Sequence, residues 1–139
     1  MVREKIKCHK YGTQYCKPHF YILSKGRNSG KPLQEPCANC FVFIAENEEE
    51  RQHYFNLSYA LWQGRQFHIL LTGSVIEFIR IDDLCNTLRQ ANVAISEKKQ
   101  EYIILLKSIH DLNLYHENLH KQIKLIHEVK RAVIYKLFK

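Results

Sequence analysis

Apolar positions recur every seven residues through the C-terminal third of the chain. Leu105, Leu112, Leu119, Ile126 and Val133 form one row. Tyr102, Ile109, His116, Ile123, Lys130 and Leu137 form a second, offset from the first by three or four. Two rows at that offset make a seam along one side of a helix, the pattern that asks for a partner helix. No Gly or Pro follows Gly73 to interrupt it. The spacing predicts one long coiled-coil-like helix from Ser96, its N-cap, to Phe138, about 64 Å at ~1.5 Å per residue. That exceeds the expected width of a domain built from residues 1–95, so part of the seam is expected to meet a second chain. His116 and Lys130 are polar members of the seam, and such residues cost stability while fixing register and partner choice.

Upstream the pattern changes from long-period to short. Residues 1–19 alternate poorly and predict an irregular arm or short edge strand. Phe20-Tyr21-Ile22-Leu23 has strand propensity, and Cys40 to Ala45 is nearly all apolar, a strand buried on both faces. Asn47 followed by Glu48, Glu49 and Glu50 predicts a capped helix start. That helix carries Tyr54, Leu57, Leu61 and Trp62 toward the core and stops at Gly64. Phe67 to Leu71 fits helix or strand. Thr72-Gly73-Ser74 predicts a turn, Val75 to Ile81 a strand, and Asp82-Asp83 the cap of a helix through Leu84 and Leu88. Asn92 to Ile95 reads as a link. The expected fold is α+β: a small mixed head over residues 1–95 and a pairing helix over residues 96–139.

Charge adds a direction to this scheme. The formal net charge is +7 over 139 residues, and it is uneven. Residues 1–40 carry eight Lys/Arg against two acids, residues 41–95 four against seven, and residues 96–139 nine against five. Basic ends suit an anionic partner, with nucleic acid the commonest. Two basic segments stand out. One is the turn-rich loop with Lys25, Arg27, Asn28 and Lys31; the other is the arm with Arg3, Lys5, Lys7 and Lys10. Three residues separate Gly26 from Gly30 where a nucleotide phosphate-binding loop has four, and Pro32 stands where Ser or Thr binds magnesium. Nucleotide binding of that type is excluded, whereas phosphate contact by loop amides and cations is not. No apolar run approaches the ~20 residues of a bilayer crossing. With five cysteines, an odd number, and no export signal, the sequence is read as cytoplasmic with free thiols.

Catalytic patterns are missing. Gly73-Ser74 is half of a nucleophile elbow and lacks the second glycine. Cys37 and Cys40 have zinc-knuckle spacing, but Cys8 and Cys16 do not repeat it. His9 and His19 are the remaining substitutes as ligands. His116 and His120 share a helix face without an evident third ligand. No cofactor, metal, small-molecule substrate or enzymatic activity is expected.

The order of features resembles the distal half of a target-recognition domain and its spacer helix in the DNA-specificity subunits of type I restriction-modification systems. The resemblance covers roughly residues 40–139. It runs from Gly73-Ser74-Val75-Ile76 through Ile79 to Leu84, then Ser96-Glu97-Lys98-Lys99-Gln100 and Ile103 to Leu112, ending at Ile126 to Phe138. Glu97 and Gln100 hold the Glu-x-x-Gln spacing that opens the family's helix, and Leu137-Phe138 its end. Family recognition domains are longer before the helix, and the proline-rich step is replaced here by Asn92 to Ile95. A full subunit has two recognition domains on two antiparallel helices, so a half must dimerise to rebuild it.

Two functions follow as expectations. The first is a non-catalytic DNA-binding protein, with the loop and the arm on phosphates, Arg27 and Asn28 at base edges, and two heads held apart by paired helices. The second is an assembly module of a restriction-modification or mobile-element system that docks on a partner subunit through the helix and does not touch DNA.

Overall fold

A computed structural model describes residues 1–139. The fold is α+β with a long C-terminal helix, and it divides into two compact units, Met1–Lys98 and Lys99–Lys139.

The head is built on a four-stranded antiparallel sheet. Its strands are β1 (Ile6–Cys8), β2 (His19–Leu23), β3 (Pro32–Leu33) and β4 (Cys40–Ile44), in the order β1-β4-β2-β3. Register fixes which side chains share a face. Ile6, Phe43 and Phe20 stand opposite one another across the strands, as do Ile22 and Phe41. This face packs against α2 (Glu48–Gln63) and α3 (Ile81–Glu97) through Leu57, Leu84 and Leu88, all essentially inaccessible. On the other face Tyr21, Val42 and Cys40 form a smaller buried cluster with Tyr15 and Leu33 around it. β4 is therefore covered on both sides, which is why its sequence is continuously apolar rather than alternating.

Local chemistry explains the helix ends. Asn47 caps α2, its Oδ1 accepting from the Glu50 N–H at 2.8 Å. Gly64 closes the helix as expected. The arm is more ordered than its sequence suggests: a short helix α1 (Val2–Lys5) leads into edge strand β1. Arg3 donates to Asp82 at 2.8 Å, and Lys5 pairs with Glu50 in a half-buried site.

Four expectations fail. Val75 to Ile81 is not a strand. Thr72 and Phe78 bond to each other's backbone at 2.9 and 2.8 Å, which closes residues 73–77 into a tight loop. Gly73 permits that loop: at φ +108° a Cβ would meet the Ile76 carbonyl oxygen at 2.3 Å. Asp82 and Asp83 do not cap α3; they occupy its first turn behind Arg80, and no side chain caps it. Asn92 to Ile95 is not a link, because α3 continues to Glu97 and Ile95 packs on the core. Ser96 thus lies inside α3, bonded back to the Val93 carbonyl at 2.6 Å, and does not start the long helix. That helix, α4 (Lys99–Leu137), opens after Lys98, whose φ of −124° leaves the helical range.

α4 runs unbroken for 39 residues, about 58 Å at ~1.5 Å per residue. None of its residues is fully buried. Leu105, Leu112, Ile123, Ile126, Val133 and Leu137 are each more than half exposed, and Leu119 is 39% exposed. No helix of the protein is long and apolar enough to cross a membrane.

Buried thiols and phenols give the head a pH response. Burial pushes the Cys40 thiol up to about 11, and the Tyr21, Tyr54 and Cys85 groups are raised by burial as well. Each is neutral when protonated, so the folded state holds these protons more tightly than the unfolded chain. Below pH ~8 both states are protonated and stability is unaffected; from ~8.5 to ~11 the unfolded chain ionises first. Denaturant midpoints are expected to hold steady to pH ~8.5 and to fall progressively above it. A flat profile to pH 10.5 would contradict this burial.

Candidate functional site

The loop after β2 is not an open hairpin. Gly30 N–H donates to the Leu23 carbonyl at 2.8 Å and Leu23 N–H to the Lys31 carbonyl at 2.9 Å. Ser29, only 2% exposed, folds its hydroxyl back onto the Gly26 carbonyl at 2.6 Å. Gly26 N–H donates to the Glu77 carbonyl, joining this loop to residues 73–77. Gly30 has φ +93° and lies flat on Phe67, where a Cβ would approach ring carbons to 2.2 Å. The missing side chain lets the loop seat against the segment that follows α2.

That segment is shaped by the end of α2. Arg65 N–H bonds the Trp62 carbonyl at 3.0 Å and Gln66 N–H the Leu61 carbonyl at 2.9 Å. This is the paired-bond helix stop whose C′ residue is left-handed and is usually glycine. Here Gly64 lies one residue early, and Arg65 takes the left-handed position at φ +56°. A side chain there costs about 1–2 kcal/mol. A 3-10 turn, His68–Leu70, then follows the buried Phe67.

Between the loop and this segment is a cleft of about 420 Å³ lined by Arg27, Asn28, Ser29, Trp62, Gln63, Arg65, Phe67 and His68. No carboxylate is among them. Arg27 is 86% exposed and forms a long ion pair, 3.9 Å, with Glu77, which does not line the cleft. Trp62, the chain's single tryptophan, is half-buried against the core. The Lys31 ammonium sits 5.0 Å from its ring centroid but does not line the cleft. The arrangement offers two guanidinium forks, two side-chain amides and an indole: groups for an anion carrying a flat, hydrogen-bonding body.

Arg65→Gly separates the two roles of that residue. Relieving the left-handed strain is expected to stabilise the head by about 0.5–1 kcal/mol. Any anion held in the cleft is expected to bind more weakly. Denaturation and a binding titration of the same sample check both signs, and lower stability would contradict the strain argument.

The other expected residues fall elsewhere. Lys25 pairs through its backbone with Phe78. Lys5 is held by Glu50 in a largely buried pair that ties α1 to α2, and Arg3 pairs with Asp82 of α3 at the surface. Lys7 and Lys10 are exposed away from the cleft, Lys7 on the sheet face opposite the main core beside Val42. The sequence favours core packing over a ligand role for Trp62, and it does not point to Gln63, Arg65 or His68 as site residues. The one sequence signal for them is an arginine directly after the glycine that ends a helix.

The Cys and His candidates do not assemble into a metal site. Cys8 and Cys16 are exposed, while the buried Cys40 donates its thiol to the Cys37 carbonyl at 3.1 Å. His9 lies 3.1 Å from the Tyr15 hydroxyl, and His19 Nε2 lies 3.2 Å from that of Tyr21. His19 Nδ1 is 2.8 Å from the Lys17 carbonyl, so it carries the proton and donates. His116 and His120 stack edge-on at 4.5 Å. Nowhere do three His, Cys, Asp or Glu side chains gather in a metal-holding group.

Residues 6–136 match the model of a family of unknown function, DUF6943, and the chain belongs to that family. No curated protein and no solved structure matches it.

Proposed function

We propose that this member of DUF6943 is a non-catalytic DNA-binding protein that grips the phosphate backbone in the Arg27–Arg65 cleft and dimerises through α4. The observation that carries the reading is the carboxylate-free cleft, in which an arginine is held at a strained left-handed position. Strained residues persist where the surrounding structure enforces them, and they cluster at binding sites. A guanidinium pair suits phosphate because each fork makes two parallel charge-assisted hydrogen bonds.

The pairing half of the proposal rests on the exposed seam of α4. A helix of 39 residues with no buried position leaves a long apolar row in water. The occupant that matches a heptad row is another heptad row, and a second copy supplies one. The likeness to DNA-specificity subunits supports this layout through the long helix. It is weaker elsewhere, since the strand after Gly73-Ser74 is a loop and Glu97 closes α3 rather than opening α4.

The test is solution mass with and without short DNA at low and moderate salt. A dimer that takes up DNA at low salt and releases it as salt rises is expected, because each neutralised phosphate releases counterions. A monomer that binds no DNA at low salt would refute both halves. A dimer without DNA binding would favour an assembly module.

A further inference from the structure

We infer that the cleft takes one unstacked nucleotide of a single-stranded nucleic acid, with the base against Trp62 and the phosphate between Arg27 and Arg65. This rests on the nucleic-acid reading above and narrows it.

Shape is the first argument. Bases inside a duplex are read by a protruding helix or ribbon that enters a major groove about 12 Å wide. Here Arg27, Asn28 and Arg65 are exposed around a concavity whose wall includes the half-buried Trp62. A ring set in that wall cannot stack on a base that stays inside a duplex, so the base must come to the protein. The volume, about 420 Å³, lies in the ~300–1,000 Å³ range of pockets that enclose small molecules.

The lining supplies the second argument. Single strands are held by aromatic rings on which bases stack, beside cations that follow the backbone. Trp62 is the aromatic ring here, and its packing on the core fixes it in place before a ligand arrives. Asn28 offers an amide donor and acceptor, the pair of functions found on a base edge, and Gln63, whose Nε2 donates to the Tyr59 hydroxyl at 2.7 Å, keeps its second N–H and its oxygen. A bare phosphate would use the two arginines and leave the indole and the Asn28 amide idle.

Trp62 is the only tryptophan, so its emission reports the cleft directly. Full-length protein is titrated at about 50 mM salt with a short oligo-dT, the matched dA·dT duplex, and inorganic phosphate. Oligo-dT is expected to quench the emission saturably and to bind at least about tenfold tighter than the duplex, with phosphate far weaker. Trp62→Leu keeps an apolar side chain on the core but removes the stacking ring. It is expected to lower single-strand affinity about 5- to 150-fold, the range that base stacking on an aromatic supplies, and Trp62→Phe to restore most of it. If Trp62→Leu fails to fold, quenching and strand preference of the native protein decide. Duplex binding as tight as single-strand binding, or single-strand binding that leaves the emission unchanged, overturns the inference while leaving the broader reading intact. Absence of binding by both DNA forms overturns both.

Discussion

Gly30→Ala is expected to destabilise the head by about 2–5 kcal/mol and to abolish binding in the cleft. Two costs add. At φ +93° an alanine is strained by about 1–2 kcal/mol. Its methyl carbon would also lie 2.2 Å from a ring carbon of Phe67, which is 1% exposed and packed in the main core. Overpacking of this kind costs about 1–3 kcal/mol. The cheapest relief is to lift residues 25–31 off Phe67, which carries Arg27 and Asn28 away from Arg65. Gly26→Ala is the control. Its φ, +91°, is equally unfavourable, but its Cβ meets nothing within 4 Å. Denaturation should show Gly26→Ala losing only the strain cost. Equal losses for the two variants would mean that loop and helix end are not packed as described.

The second large effect concerns the seam. Leu112→Asp combined with Leu119→Asp is expected to convert a dimer of about twice 16.6 kDa into a monomer. Both side chains are exposed in the single chain, so aspartate there costs the monomer little beyond helix propensity, about 0.7 kcal/mol per residue or less. In a paired seam the same carboxylates would be desolvated without partners, at several kcal/mol each. The head should be untouched, and its denaturation midpoint should stay at the native value. Unchanged solution mass would show that α4 does not pair through this row.

How far the sequence could be read depended on whether local pattern and tertiary context agreed. β4 was legible because burial on both faces leaves no polar residue in the run. α2 was legible because Asn47 and Gly64 mark its ends through their own chemistry. α4 was legible because a seven-residue period sustained over about eight turns, Leu105 to Val133, has few other meanings. Val75 to Ile81 misled because β-branched residues favour strands only where a neighbouring strand exists. Here Gly73 and the Thr72–Phe78 bonds turn the segment into a loop that leaves Val75 94% exposed. The end of α3 was readable and missed: Leu84, Leu88, Ala91 and Ile95 follow one helical stripe straight through the supposed link.

The cleft was half legible. Gly26 to Lys31 announces a basic loop, but its counterpart lies more than thirty residues further on. Nothing local marks Arg65 as left-handed when a glycine sits immediately before it. Nor does composition reveal which cations are occupied. Arg3 and Lys5 look like Arg27 in sequence, but Asp82 and Glu50 hydrogen-bond them, whereas Glu77 meets Arg27 only at 3.9 Å.

The most direct measurement is the salt dependence of DNA affinity for the native chain and for Arg27→Ala combined with Arg65→Ala. A plot of log affinity against log salt falls by about 0.7 per single-strand phosphate neutralised and about 0.9 per duplex phosphate. If the two arginines hold one phosphate between them, the double variant should bind more weakly and lose about 0.7–0.9 from that slope. An Arg3→Ala, Lys5→Ala variant that still folds should keep the native slope. A double cleft variant with native affinity and native slope would show that the cleft is not where nucleic acid binds.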